Sequence, residues 1–215
     1  GGLVAPLSRG PWVGAVIMVI LFLAAGPRAM QRLALLILAP FAAIPLLALV
    51  PGGEKIIGLI PFLGDIEKGG ISYREQLIDN AMIVIDRNFW FGSTNYLRTP
   101  EMEAMRQGQG IIDIVNSYLR IALDKGFVGV TLFTGFFTVA LWQTFFVLPS
   151  TRGDEELNIL GRSLFATLGG IMLIIFTVSS ITVIPTIYWS VAGLCVAYVQ
   201  MIRKMRYRKE QENAW

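Results

Sequence analysis

Histidine is absent from this sequence. Imidazole-based metal sites, Ser-His-Asp triads and Cys-His pairs are therefore excluded within the chain itself. Cysteine occurs once, at Cys195, so no internal disulfide framework exists. Charge is scarce as well: 15% of residues are Asp, Glu, Lys or Arg, against about 25% in an ordinary soluble domain. Internal repeats and low-complexity stretches are also missing. What fills the space is apolar. Hydrophobic residues make up 54% of the chain, a composition that fits an integral membrane protein and not a soluble fold.

The few charges are unevenly placed. None falls within 10–27, 33–53, 126–151 or 163–202. A helix needs about 20 apolar residues to cross the hydrocarbon core, and the last window holds two spans with a reversal near Pro185. Five spans are expected, at about 11–27, 32–50, 127–149, 163–182 and 187–203. Helices are the expected form because each satisfies its own backbone polar groups, and the windows lack the alternation of barrel strands. The predicted fold is therefore an all-α, polytopic helical bundle, with 1–215 as one membrane domain. Because the chain begins at Gly1 and enters an odd number of spans, it is expected to be a fragment of a longer protein.

Orientation follows from the cations. The tail holds Arg203, Lys204, Arg206, Arg208 and Lys209, which places 204–215 in the cytoplasm. Counting back puts 51–126 outside, and that loop has no basic excess, with eight cations against ten acids. The short turn at 28–31, beside Arg28 and Arg32, falls inside, as does the loop at 150–162.

A loop as long as 51–126 is long enough to carry function. It opens on Pro51-Gly52-Gly53, followed by an apolar stretch, Ile56 to Leu63, too short to span. An amphipathic helix is expected over 72–88, packed on the spans or lying on the bilayer. Ser72-Tyr73-Arg74-Glu75 fits a capping box, and Ile78, Met82, Ile85 and Phe89 recur at helical spacing beside Leu77, Ala81 and Val84. Arg74, just inside that start, is either a phosphate ligand beside free backbone N–H groups or a surface arginine paired with an acid such as Asp79. Arg9, entering the first span from outside, runs against the positive-inside tendency. It is either functional or a cation snorkelling into head groups. The third constellation is Asp113, Asn116 and Tyr118 at the entrance to the span at 127. Such groups bind sugars through directional hydrogen bonds, or cap a helix.

These pieces, in this order, resemble the O-antigen ligase and polymerase family of bacterial membrane glycosyltransferases. The likeness rests on the Ser8-Arg9-Gly10-Pro11-Trp12 entry to a span and on Tyr73-Arg74 followed by Phe91-Gly92. It continues through Val115-Asn116-Ser117-Tyr118-Leu119, Gly126-Phe127-Val128-Gly129 and the closing Tyr188 to Leu194. It covers nearly the whole chain, as the C-terminal half of such a protein, with a bundle of the glycosyltransferase C type.

The resemblance implies transfer of a glycan from undecaprenyl diphosphate to a sugar hydroxyl at the outer (periplasmic) face of the inner membrane. The acceptor is another lipid-linked repeat unit for a polymerase or the lipid A core for a ligase. It implies an inverting reaction without metal or cofactor, with Arg9 and Arg74 holding the diphosphate and Asp113 as a candidate base. Glu75 and Asp79 are further candidates. Tyr73, Asn116 and Tyr118 would bind substrate. The implied partners are the lipid-linked glycan, membrane lipid and a chain-length regulator, with no nucleic acid. One departure stands out: the family's ligases carry His where this chain has Val115, which favours a polymerase. A transporter or flippase is the competing class, and it would place polar groups in mid-span; a purely structural anchor would not need the long loop.

Overall fold

The computed structural model describes residues 9–48, 68–108, 110–176 and 183–212, with side chains described at 13–39 and, within those ranges, from 73 onward. The apolar stretch expected at the membrane surface, Ile56 to Leu63, lies outside the described residues. Among the described residues every regular element is helical: α1 (Arg9–Ala24), α2 (Ala29–Ala48), α3 (Lys68–Arg87), the short α4 (Pro100–Glu103), α5 (Ser117–Val147), α6 (Glu155–Ile174) and α7 (Val183–Glu212). Single 3-10 turns lie at Tyr96–Arg98 and Leu148–Thr151. Three of these segments, Ser117–Thr151, Glu155–Ile174 and Val183–Glu212, are long and apolar enough to cross a membrane. The protein is an all-α polytopic membrane protein. α1 and α2 fall on the first two expected spans, although their described apolar stretches, Val13–Ala24 and Ala29–Ala39, are shorter.

Two of the spanning helices begin elsewhere than the charge-free windows indicate. α6 starts at Glu155, inside the segment read as a loop at 150–162. Asp154 is its N-cap, accepting from the Leu157 N–H at 3.1 Å, and Glu155 and Glu156 in the first turn suit the positive end of the helix dipole. Those acids are helix-start signals, which a reading by charge alone takes for a loop. α7 begins at Val183 with Pro185 in its first turn, where a missing N–H costs nothing, and it runs on through the basic tail to Glu212.

The chain folds as two compact units, one of 1–66, 143–170 and 194–215, the other of 67–142 and 171–193. In the first, α1 ends in a tight turn to α2. The Ala25 and Gly26 N–H groups donate to the carbonyls of Leu21 and Leu23 at 3.0 and 3.1 Å. Pro27 cannot continue the helix, and Arg28 takes a left-handed φ of 55° to reverse the chain. The Phe22 carbonyl, one of the last in α1, is met instead by a side chain from α6. Arg162, only 4% exposed, donates to it from Nε at 3.1 Å and from Nη2 at 2.6 Å. Its guanidinium also lies 4.0 Å from the centre of the Phe22 ring. A Cβ at Gly26 would collide with that guanidinium, so glycine opens the approach. The arginine thus caps α1 from another helix. Nearby, Val147, Tyr198, Val199 and Ile202 form a buried cluster, and the Tyr198 hydroxyl donates to the Leu157 carbonyl at 2.9 Å.

The second unit is built on a core of Leu77, Ala81 and Val84 from α3 with Tyr96, Met102, Met105, Ile114 and Leu123. The three α3 residues follow i, i+4, i+7 spacing and so share one helix face. Farther along, Phe133 and Phe137 of α5 pack against Tyr188 and Trp189 of α7 at centroid distances of 5.0 to 6.2 Å.

Candidate functional site

The expected loop helix is present, but it starts earlier than its sequence signal. α3 begins at Lys68, so Ser72 lies in the second turn and does not cap the helix. Gly69 and Gly70 lower helix propensity by about 1 kcal/mol each without forbidding a helix, and the chain continues through them. Arg74 therefore does not stand beside the free N–H groups of a helix start. The phosphate-site argument based on the helix dipole falls with that.

What the structure gives Arg74 instead is a fixed neighbour and an open position. Tyr73 is half-buried, and its hydroxyl donates to the Asp113 carbonyl at 3.1 Å, with a longer approach to the Met105 carbonyl at 3.5 Å. This ties α3 to the two chain segments that follow it. The next residue, Arg74, is exposed, and among the described residues it forms no ion pair, with Asp79 or any other acid. Asp113 is half-buried beside the Tyr73 hydroxyl. Two members of the expected site, Tyr73 and Asp113, are thus in direct contact.

Asn116 and Tyr118 sit where α5 begins, and their polar atoms serve the backbone. The Asn116 Oδ1 accepts from the N–H groups of Tyr118 and Leu119 at 2.9 and 3.1 Å, an N-cap worth about 1 kcal/mol. The Tyr118 hydroxyl donates to the Met172 carbonyl at 2.8 Å, and the Ser117 N–H to the Ile175 carbonyl at 2.9 Å. Carbonyls at the end of α6 thereby gain donors that their own helix cannot supply. The Tyr118 ring packs on Phe176 and Phe133 at 4.3 and 5.8 Å. Of these two residues, expected as sugar ligands, Tyr118 joins the start of α5 to the end of α6, and Asn116 caps its own helix. Val115, in the position where a base would be sought, packs against the core of the unit. Arg9 is the first residue of α1, in the other unit, and its side chain lies outside the described residues.

The floor of this region is a crossing of two glycines. Gly126 breaks α5 with φ 65° and ψ −164°, separating a short first segment from the membrane-spanning run. Gly92 has φ 67°. A Cβ on Gly126 would lie 2.5 Å from the backbone of Trp90, Phe91 and Gly92, and one on Gly92 would lie 2.6 Å from that of Asp124, Lys125 and Gly126. Hydrogen bonds close the crossing: Ser93 N–H to the Leu123 carbonyl at 2.8 Å, Phe127 N–H to Phe89 at 2.7 Å and Val128 N–H to Trp90 at 3.2 Å.

Two further arginines of the unit are engaged. Arg87 pairs with Glu101 at 2.6 Å, and Arg106 with Glu103 at 2.7 Å. A backbone N–H first and the Arg87 guanidinium second hold the Glu101 carboxyl below its usual range. Buried Tyr96 was not singled out from sequence. Burial raises its pKa, and the nearby Arg120 partly offsets this. Arg120 was missed too, although it directly follows the Val115–Leu119 segment. Among the described residues no group of three or more His, Cys, Asp or Glu side chains is arranged to hold a metal ion.

Compared with known proteins, residues 1–134 match the model of a family described as O-antigen ligase. No curated protein and no solved structure matches the chain.

Proposed function

The chain belongs to the O-antigen ligase family, whose members are membrane glycosyltransferase-like enzymes of the ligase and polymerase type, and on that premise we propose that it is the polymerase kind. In this reading it joins oligosaccharide repeat units of O-antigen or exopolysaccharide, carried on undecaprenyl diphosphate, at the periplasmic face of the bacterial inner membrane. A sugar hydroxyl of one lipid-linked unit attacks the anomeric carbon of another with inversion. The bond to the diphosphate breaks, and the diphosphate leaves with the electron pair and added negative charge. Arginines facing that charge lower the barrier without a metal, because a guanidinium stays ionised and binds two phosphate oxygens at once. Arg74 is the residue assigned that role here. Asp113, beside Tyr73, takes the proton of the attacking hydroxyl.

The observation that carries this reading is the exposed Arg74 guanidinium, unpaired among the described residues, next to a tyrosine pinned to the Asp113 backbone. Tyr73, Asn116 and Tyr118 then act as positioning residues that hold the scaffold of the site. The apolar packing of Val115 supports polymerase over ligase, since the family's ligases resemble one another in a histidine at that place. A transporter reading gains little from the structure. Among the described residues the buried span cation, Arg162, is engaged in capping α1.

The test is polymer length and yield on gels from cells lacking the native gene and complemented with variants. Arg74→Ala should lower transfer by on the order of 100- to 1000-fold, the usual cost of one charge-stabilising contact. Arg74→Lys should recover only part of it, and Arg98→Ala, another exposed arginine of the same unit, should leave it unchanged. Purified protein should keep working in excess chelator. Normal polymer from Arg74→Ala at equal protein level would reduce Arg74 to a surface charge.

A further inference from the structure

The apolar residues of α3 form two adjoining bands, and only one of them is covered. Leu77, Ala81 and Val84 are buried in the core of their unit. At about 100° per residue, Ile78 and Met82 fall about 40° apart on a neighbouring line, both 47% exposed, and Phe89, in the turn just past the end of α3, is 43% exposed. That line runs directly into Trp90 and Phe91, more exposed still, and across to Phe127 of α5.

The rings are held in place by the fold. Phe89 stacks on Phe127 at 5.2 Å with planes 13° apart, and Trp90 meets both edge-on at 5.3 and 6.0 Å. The Phe127 and Val128 N–H groups bind the carbonyls of Phe89 and Trp90, and the two glycines lock the crossing below them. A rigid, exposed aromatic patch of this kind marks an interaction site. Its position in the chain says with what. Phe127 opens the apolar run of α5 that is long enough to cross a membrane, and its residues Leu132 and Val139 are exposed in the protein, as a lipid-facing surface requires. In the chain the patch leads directly into that span, and charged Asp124 and Lys125 stand immediately before Gly126 and Phe127. Aromatic side chains between a charged edge and a spanning segment are the pattern of the membrane–water boundary.

We propose that Ile78, Met82, Phe89, Trp90, Phe91 and Phe127 form a docking surface for the bilayer, which holds α3 in the plane of the head-group and acyl boundary. Docking follows from the membrane location of the chain and does not depend on glycosyl transfer. One consequence does rest on the proposed function: Arg74 lies one turn before Ile78, close to the same line, so docking carries its guanidinium to the level of lipid phosphates. A lipid-borne diphosphate would then reach it without leaving the membrane.

The test is label depth in the full-length protein, reconstituted in phosphatidylethanolamine–phosphatidylglycerol vesicles after Cys195→Ser. Single cysteines are introduced as Phe91→Cys and, leaving every ring intact, Ile78→Cys, and each carries a nitroxide. Collision with dissolved oxygen, which favours the acyl region, is compared with collision with a water-soluble nickel chelate. Leu132→Cys supplies the lipid reference and Gly108→Cys, an exposed loop position with open space around it, the water reference. The expected result is an oxygen-to-nickel ratio several-fold above that of Gly108→Cys at both positions, approaching that of Leu132→Cys. Ratios equal to Gly108→Cys at both positions overturn the proposal. If, in addition, a soluble oligosaccharide then shields them from nickel, the patch is a sugar platform instead. Loss of transfer in Arg74→Ala with water-like labels would spare the proposed function while refuting the docking surface; lipid-like labels with normal Arg74→Ala activity would do the reverse.

Discussion

Gly126→Ala should be among the most damaging single-methyl substitutions in this protein. Two separate costs arise at the same atom. The backbone there has φ 65° and ψ −164°, a region held almost only by glycine, and any other residue in such a conformation costs about 1–3 kcal/mol. The added methyl would also lie 2.5 Å from backbone atoms of Trp90, Phe91 and Gly92, which have no rotamer by which to move aside. Separating the two strands of chain costs about another 1–3 kcal/mol, as overpacking does elsewhere, and stretches the bonds from Ser93, Phe127 and Val128. The sum, roughly 2–6 kcal/mol, is a large part of a typical stability of about 5–15 kcal/mol. For a chain of this size it corresponds to a drop in apparent Tm on the order of 10 °C. The measurement is thermal unfolding of the purified protein in detergent, followed by intrinsic fluorescence. Gly135→Ala, in the same helix with nothing within 4 Å of its Cβ, is the matched control, and should be neutral or stabilising by up to about 1 kcal/mol. Equal melting of Gly126→Ala and wild type would show that the glycine crossing is not a rigid feature, and the account of the aromatic patch above it would lose its support.

Arg162→Ala removes two N–H donors from the Phe22 carbonyl and a cation from the Phe22 ring, a loss of about 2–4 kcal/mol; Lys at that position should restore only part of it in the same melting assay. Burial raises the Tyr96 pKa, so above the ordinary tyrosine value of about 10 the unfolded chain loses a proton that the folded chain keeps, and stability falls as pH rises. Tyr96→Phe should flatten that alkaline slope in unfolding experiments from pH 9 upward, whereas an unchanged slope would assign it to other groups. For orientation, Ser93→Cys should react with an impermeant thiol reagent in intact spheroplasts and Asn213→Cys should not, both after replacement of Cys195. Reaction only at 213 would invert the topology and place the Arg74 region on the wrong side.

The sequence by itself determined the membrane class, the helical form and the rough place of each apolar helix. These follow from local quantities, namely hydropathy summed over a window and helical spacing within it. The run at 127–149 is an example: α5 breaks at Gly126 and ends at Val147. Asp113, Asn116 and Tyr118 were also legible as polar groups at a helix boundary, and Asn116 as a cap, whereas Tyr73 proved to lie inside its helix. Only the tertiary structure decided what those groups do, because their partners are distant in the chain. The carbonyls that Tyr73 and Tyr118 bind belong to Asp113 and Met172, and no spacing rule joins residues so far apart. The same holds for Arg162, which sequence placed at the edge of a loop and folding buried against α1. It holds too for α3, whose broad apolar face reads as one stripe until packing divides it. Leu77, Ala81 and Val84 meet a core there, while Ile78 and Met82 do not. Hydrophobicity states that a side chain leaves water, but only the arrangement of neighbours decides whether protein or lipid receives it.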